Sequence, residues 1–238
     1  MPALRDDIDP DGLLEYSVVF SDRSLNSMSA AFGDVMRDIS RIMRNAYSAA
    51  SVAVVPGGGT YGMEAIARQF VQKSRVMVIR NGWFSFRWSQ IIEAGGLAES
   101  TTVLAAGQTA DETDAPFAPQ PLDDILARIR DEKPDVVFCP HVETSAGLMV
   151  PDSFIAAVAG CVHEHGGLFV LDCVASGTVF VNLEDTGVDV LLTAPQKGWS
   201  ASPCAALVMM SPLARQRLEE TASSSFANDL KKWTQIME

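Results

Sequence analysis

Seven short apolar runs, at residues 51–55, 76–79, 102–105, 136–139, 168–171, 188–192 and 205–210, recur along the chain with longer stretches between them. The runs are apolar rather than alternating, which is the pattern of strands covered on both faces. Residues 61–72, 85–95, 121–132 and 152–165 read as helices between them. This order predicts an α/β chain, a three-layer α/β/α arrangement around a mostly parallel seven-stranded sheet. Ahead of the first run, residues 27–47 read as an amphipathic helix. Met28, Phe32, Val35, Met36, Ile39, Ile42 and Met43 fall there at three- and four-residue steps, with Asn26 or Ser27 as the cap. Residues 106–120, rich in Thr, Asp, Pro and Ala, read as a surface loop. Residues 212–221 and 227–237 read as two closing helices, the second with Leu230, Trp233 and Ile236 on one stripe, of which Trp233 and Ile236 are expected to lie exposed.

Charge removes whole classes of partner. With 30 Asp and Glu against 18 Lys and Arg the formal charge is −12, and no basic stripe offers phosphates a surface, so nucleic acid is not an expected partner. The apolar runs fall far short of the roughly 18 residues needed to cross a bilayer, and no membrane partner is expected. The first nine residues carry three Asp and no apolar core of the kind a signal peptide has, which makes the cytoplasm the expected location. Cys139, Cys161, Cys173 and Cys204 follow neither a zinc spacing nor the dense pattern of a secreted disulfide scaffold, so they read as reduced and mostly buried. His163 and His165 stand two apart and point to different faces of a helix, so no metal site is expected there.

In an open α/β sheet the ligand sits beyond the carboxyl ends of the strands, so the residues just after each run carry the information. After the first run comes Pro56 to Glu64, PGGGTYGME, a glycine-rich turn opening a helix, where free backbone N–H groups and the helix dipole favour a phosphate. It lacks the lysine of a nucleoside-triphosphate loop and the GxGxxG spacing of a dinucleotide site, and a plain tight turn stays open on this segment alone. After the second run, Arg80 to Trp88 reads RNGWFSFRW, with four aromatic rings in six positions that can serve the core or cover a flat ligand. Asp172 follows the fifth run, and Lys197, in the stretch TAPQKGW, follows the sixth. Acid and lysine would converge on one crevice from successive strands. A buried ion pair is one reading, at the cost of desolvating both charges. The other is chemical: a partly desolvated lysine forms a Schiff base with an aldehyde, while the acid keeps a pyridine ring protonated as an electron sink.

With these residues in place, the chain resembles the large domain of the class V aminotransferases, fold-type I pyridoxal-phosphate enzymes, and within them the alanine/serine–glyoxylate branch. The resemblance runs from about residue 51 to 211 on four motifs: Gly57 to Ala65 (GGGTYGMEA), Asn81 to Arg87 (NGWFSFR), His141 to Gly147 (HVETSAG), and Asp172 to Ser176 (DCVAS) followed by Gln196 and Lys197. It implies pyridoxal 5′-phosphate as cofactor, with Lys197 forming the Schiff base and moving the proton, and Asp172 pairing with the ring nitrogen. Phe84 and Val174 would pack on opposite ring faces. Gly58, Gly59, Thr60 and Gln196 would hold the phosphate, and Thr144 the ring hydroxyl.

The resemblance also implies an organisation: residues 1–50 as an N-terminal segment and helix, 51–211 as the cofactor-binding large domain, and 212–238 as helices leading to a small domain absent from this chain. The activity it implies is ping-pong transfer of an amino group from alanine or serine to a 2-oxo acid such as glyoxylate or pyruvate, in a homodimer. A 2-aminoethylphosphonate transaminase and a non-catalytic cofactor-binding or assembly domain stay open. A cysteine desulfurase is disfavoured, because Gln196 stands where that branch usually has His. Three departures from the pattern stand out: Gly58 in place of a common Ser, and Ser85 and Cys204 each in place of Gly.

Overall fold

The computed structural model describes residues 29–238. The chain divides into two compact units at Ile39/Ser40. In the first, the described residues are the opening of helix α1 (Ala30–Tyr47), whose start is capped by the Ser29 hydroxyl accepting the N–H of Phe32 at 3.1 Å. The expected caps Asn26 and Ser27, and Met28, lie outside the described residues.

The second unit alternates strand and helix. In chain order it holds β1 (Ser51–Pro56), α2 (Gly59–Phe70), β2 (Arg75–Arg80), α3 (Trp83–Gly95) and β3 (Ser100–Ala105). A two-residue hairpin, β4 (Gly107–Gln108) and β5 (Phe117–Ala118), stands inside the segment expected to be loop and precedes α4 (Leu122–Glu132) and β6 (Val136–Pro140). A second small hairpin, β7 (Val142–Glu143) and β8 (Leu148–Met149), leads to α5 (Asp152–His163) and β9 (Leu168–Asp172). The remainder is α6 (Leu183–Thr186), β10 (Val190–Thr193), β11 (Ala205–Met210), α7 (Pro212–Glu220) and α8 (Leu230–Met237).

Seven strands form one sheet in the order β1-β11-β10-β9-β6-β2-β3. Strand β11 runs antiparallel to both its neighbours, and the other pairings are parallel. The sheet is therefore mostly parallel, as the apolar runs predict. Strands β6, β10 and β11 are buried along their whole length. Alternate strand residues divide between the two faces: Val76, Val78, Phe138, Val170 and Val208 join one core with Ile66 of α2, Trp88 and Ile92 of α3 and Leu218 of α7. On the other face Met77, Val137, Phe169 and Leu191 are buried, as are Ile125 and Ile129 of α4 and Ile155 and Val158 of α5. Trp88 and Phe138 meet with ring centroids 4.3 Å apart, and emptying such a site costs about 3–5 kcal/mol.

One expectation is corrected. Helix α8 starts at Leu230, with the Asp229 carboxylate accepting the N–H groups of Lys231 and Lys232 at 3.0 and 3.4 Å. That phase turns Leu230, Thr234 and Met237 inward, leaves Trp233 half-buried with its indole N–H on the Ala227 carbonyl at 2.8 Å, and turns Ile236 outward. Ile236 is thus exposed as expected, and Trp233 is not. The cysteines are free and mostly buried, as expected: Cys139, Cys161 and Cys173 are buried and Cys204 is exposed.

Candidate active site

The parallel strands present their carboxyl ends on one edge of the sheet, and a pocket of about 190 Å³ opens there. Gly59, Thr60, Phe84, Thr144, Asp172, Val174, Gln196 and Lys197 line it, drawn from the turns after β1, β2, β7, β9 and β10. Of the residues the sequence singles out for a ligand, Gly58 alone does not face it. Its backbone is the extended cap of α2, and a Cβ there would meet nothing within 4 Å, so the missing Ser side chain is not excluded by packing.

The glycine turn is shaped by sterics. Gly57 has φ +120°, and a Cβ on it would come within 2.5 Å of the Tyr61 ring, so only glycine fits. Its N–H donates to the Cys204 carbonyl at 2.9 Å, which ties the turn to the start of β11. No side chain caps α2, and a Cβ on Gly59 would lie 3.1 Å from a methyl of Val174.

Helix α3 is held at its opening by a buried carboxylate. Glu143 Oε1 accepts the N–H of Phe84 at 3.0 Å and the Ser145 hydroxyl at 2.6 Å; Oε2 accepts the N–H and the hydroxyl of Ser85 at 2.8 and 2.7 Å. Burial works to raise the Glu143 pKa, but these hydrogen bonds outweigh it and hold the group below its ordinary value. The Ser85 hydroxyl also accepts the Gly82 N–H at 3.1 Å, so the residue standing in place of a Gly closes the cap. This clamp turns Phe84 to the pocket, while Trp83 points away, 66% exposed, with its ring 6.2 Å from Phe86.

Asp172 ends β9. Burial pushes its carboxyl up to about 6, against the pull of the Val174 N–H at 3.0 Å from Oδ1 and of the nearby Arg87 charge. No ion pair joins it to Lys197 among the described residues, and Lys197 is exposed rather than desolvated. The lysine turn lies past the end of β10 and leaves the residue exposed; the expected ion pair and desolvated amine are both corrected. The turn itself is tightly seated: a Cβ on Gly198 would fall 1.8 Å from the Gly177 carbonyl oxygen. Behind it the rings of Tyr47, Phe180 and Trp199 pack edge-on or tilted, with centroids 5.3 to 6.4 Å apart.

Six further lining residues were given no ligand role by the sequence. Met63, Ser85, Arg87, Pro140, Val142 and Ala175 also line the pocket. Arg87 carries a signal that periodicity could have used, since it follows Phe84 by three residues on one helix and so shares its face. His141 and Ser176 flank lining residues but turn inward, with His141 Nδ1 and Ser176 Oγ 2.7 Å apart; burial lowers the His141 pKa and keeps the ring neutral. His163 and His165 are used elsewhere, on Asp189 and on the Pro134 carbonyl, each at 2.9 Å.

No family model matches the chain. The small subunit of a soluble hydrogenase from Synechococcus sp. (strain PCC 6716) is 31% identical over 185 residues, 76% of this chain and 46% of that protein. An L-aspartate–glyoxylate aminotransferase from Paracoccus denitrificans (strain Pd 1222) is 32% identical over 176 residues, 71% of this chain and 41% of that one. A solved structure, an aspartate aminotransferase of subgroup IV from Thermus thermophilus, superposes with a TM-score of 0.73 at 26% identity over 90% of this chain and 58% of the other. The chain spans less than half the length of these two curated relatives.

Proposed function

The chain belongs to the class V aminotransferases, fold-type I enzymes whose cofactor is pyridoxal 5′-phosphate, and from that membership we propose that it transfers an amino group from alanine or serine to a 2-oxo acid such as glyoxylate or pyruvate. The observation that carries this reading is the meeting of Asp172, Phe84, the uncapped start of α2 and Lys197 around one pocket.

The donor set suits the cofactor. An acid raised to about 6 with no basic partner at ion-pair distance among the described residues is a group that gains from a cationic ring nitrogen. An uncapped helix start behind a glycine turn suits a phosphate. In this proposal Gly58, Gly59, Thr60 and Gln196 hold the phosphate, Thr144 the ring hydroxyl, and Phe84 and Val174 the two ring faces. When bound, pyridoxal phosphate supplies an aldehyde for an amine and a protonated ring that accepts the electron pair released at the substrate Cα. Lys197 is the amine that carries it and the base that moves the proton, and its exposure keeps it within reach of an incoming amino acid. Residues 51–211 act as the cofactor-binding unit between an N-terminal segment of 1–50 and the closing helices of 212–238.

We place the protein in the cytoplasm as a homodimer. No described helix is long and apolar enough to cross a membrane. Tyr61, Phe84 and Met149, at the openings of α2 and α3 and in the β7–β8 hairpin, leave apolar surface exposed. Sedimentation as a lone monomer would refute the dimer.

The decisive experiment is a visible absorbance titration of the purified chain with pyridoxal phosphate, then borohydride reduction and peptide mapping. Cofactor fixed on Lys197 supports the reading, and a folded chain that fixes none overturns it. A second reading is favoured by the Synechococcus relative, which is named as a subunit: a non-catalytic unit that binds cofactor within an assembly. Conversion of glyoxylate to glycine with alanine or serine as donor separates the two.

A further inference from the structure

We propose that Arg87 is a ligand for the phosphate of the cofactor, completing with a full positive charge the group that Gly59 and Thr60 begin. This deepens the cofactor reading and rests on it. Arg87 stands one turn into α3, half-buried, and lines the same pocket as Thr60, Asp172 and Lys197. One guanidinium nitrogen, Nη1, donates to the Thr60 hydroxyl at 3.1 Å, and the guanidinium carbon stands 5.7 Å over the Phe84 ring.

Two features single this arginine out at the pocket; Arg44 and Arg80 also pair with no carboxylate among the described residues, but neither lines it. Arg68, Arg75, Arg128, Arg130, Arg215 and Arg217 are each paired with a carboxylate. Arg87 has no carboxylate at ion-pair distance among the described residues, although acids outnumber bases by 30 to 18. A half-buried arginine with guanidinium donors to spare, in a protein rich in acids, is a site for an anion that arrives from outside. The second feature is the direction of its hydrogen bond. Because Thr60 Oγ1 accepts from Arg87, the Thr60 hydroxyl proton is left to donate to a further acceptor. The pair therefore presents several donors on the side where α2 begins without a cap. A planar guanidinium recognises a phosphate dianion bidentately and does so better than a point charge.

The test compares pyridoxal phosphate, pyridoxal and inorganic phosphate as probes for wild type, Arg87→Met and Arg87→Lys, by calorimetry, with circular dichroism and melting to confirm the fold. Arg87→Met is expected to lose about tenfold to a hundredfold in affinity for pyridoxal phosphate, the scale of one charge-assisted hydrogen bond, and to lose inorganic phosphate likewise. Its affinity for pyridoxal, which has no phosphate, is expected to change by less than about twofold, and Arg87→Lys to recover part of the loss. Equal binding of pyridoxal phosphate by Arg87→Met and wild type overturns the proposal. So does an equal loss of pyridoxal and pyridoxal phosphate, which would mean that Arg87 only steadies the Phe84 ring. Failure of the cofactor reading looks different: wild type then gives no adduct on Lys197, whatever residue 87 is.

Discussion

The carboxylate of Glu143 and the hydroxyl of Ser85 lie 2.7 Å apart, both buried, and join the β7–β8 hairpin to the first turn of α3. The contact couples two sides of the cleft, because Thr144 follows Glu143 and Phe84 precedes Ser85. A carboxylate at a helix start is favoured by the free N–H groups and by the dipole, and here it also takes two hydroxyl protons.

Glu143→Gln is therefore expected to lower stability at neutral pH by about 1–3 kcal/mol, since the amide nitrogen faces N–H donors it cannot accept from. The folded pKa of Glu143 lies below its ordinary 4.5, so its contribution is present above that value and fades as pH falls through the folded pKa. Melting of wild type and variant from pH 7 to pH 3 checks both points. A constant difference across that range would show that the charge of Glu143 does not matter.

Most of the fold was legible in the chain because a strand covered on both faces must be apolar throughout, and β6, β10 and β11 obey that rule. The helix ends were less legible. The start of α8 depends on Asp229 reaching two N–H groups, which apolar spacing does not encode. The pocket lining could be read because strand ends converge by topology, so Asp172 and Lys197 could be placed from spacing. Glu143 and Arg87 could not. Their roles depend on contacts with Ser85, 58 residues away, and Thr60, 27 away, which no local pattern encodes. The solvation of Lys197 was misjudged for a similar reason, since burial is set by what packs over a turn and not by the turn itself.

Asp172 is expected to trade stability for binding. Its folded pKa, raised to about 6 from 3.8, means that the cofactor-free protein binds the extra proton more readily than the unfolded chain. Stability from this group is thus present at low pH and falls as pH rises from about 4 to about 6. Asp172→Asn should be more stable than wild type at pH 7 by about 1–3 kcal/mol without cofactor, and should bind pyridoxal phosphate more weakly. Thermal melts at pH 4 and pH 7 decide it; a variant less stable than wild type at pH 7 would show that burial does not dominate.

Gly198→Ala tests how tightly the lysine turn is seated. The added methyl would overlap the Gly177 carbonyl oxygen at 1.8 Å, and backbone cannot yield as a flexible side chain can. The turn must shift, at about 1–3 kcal/mol in stability, and Lys197 shifts with it. The expected result is a lower melting temperature together with less cofactor fixed on borohydride reduction. An unchanged melting temperature and full fixation would show that the two loops separate without cost.

Lys197→Ala and Lys197→Arg together isolate the amine. The Lys197 side chain is exposed and enters no ion pair among the described residues, so neither substitution should move stability by more than about 0.5 kcal/mol. Arginine keeps the positive charge but stays protonated, so it can neither condense with an aldehyde nor act as a base. Both variants are expected to retain the fold, to give no reduced cofactor adduct and to lose amino transfer to glyoxylate. Were Lys197→Arg active, charge alone would suffice at this position. Were Lys197→Ala active as well, the nucleophile would have to be sought in another residue, and the convergence of Asp172 and Lys197 would lose its chemical meaning.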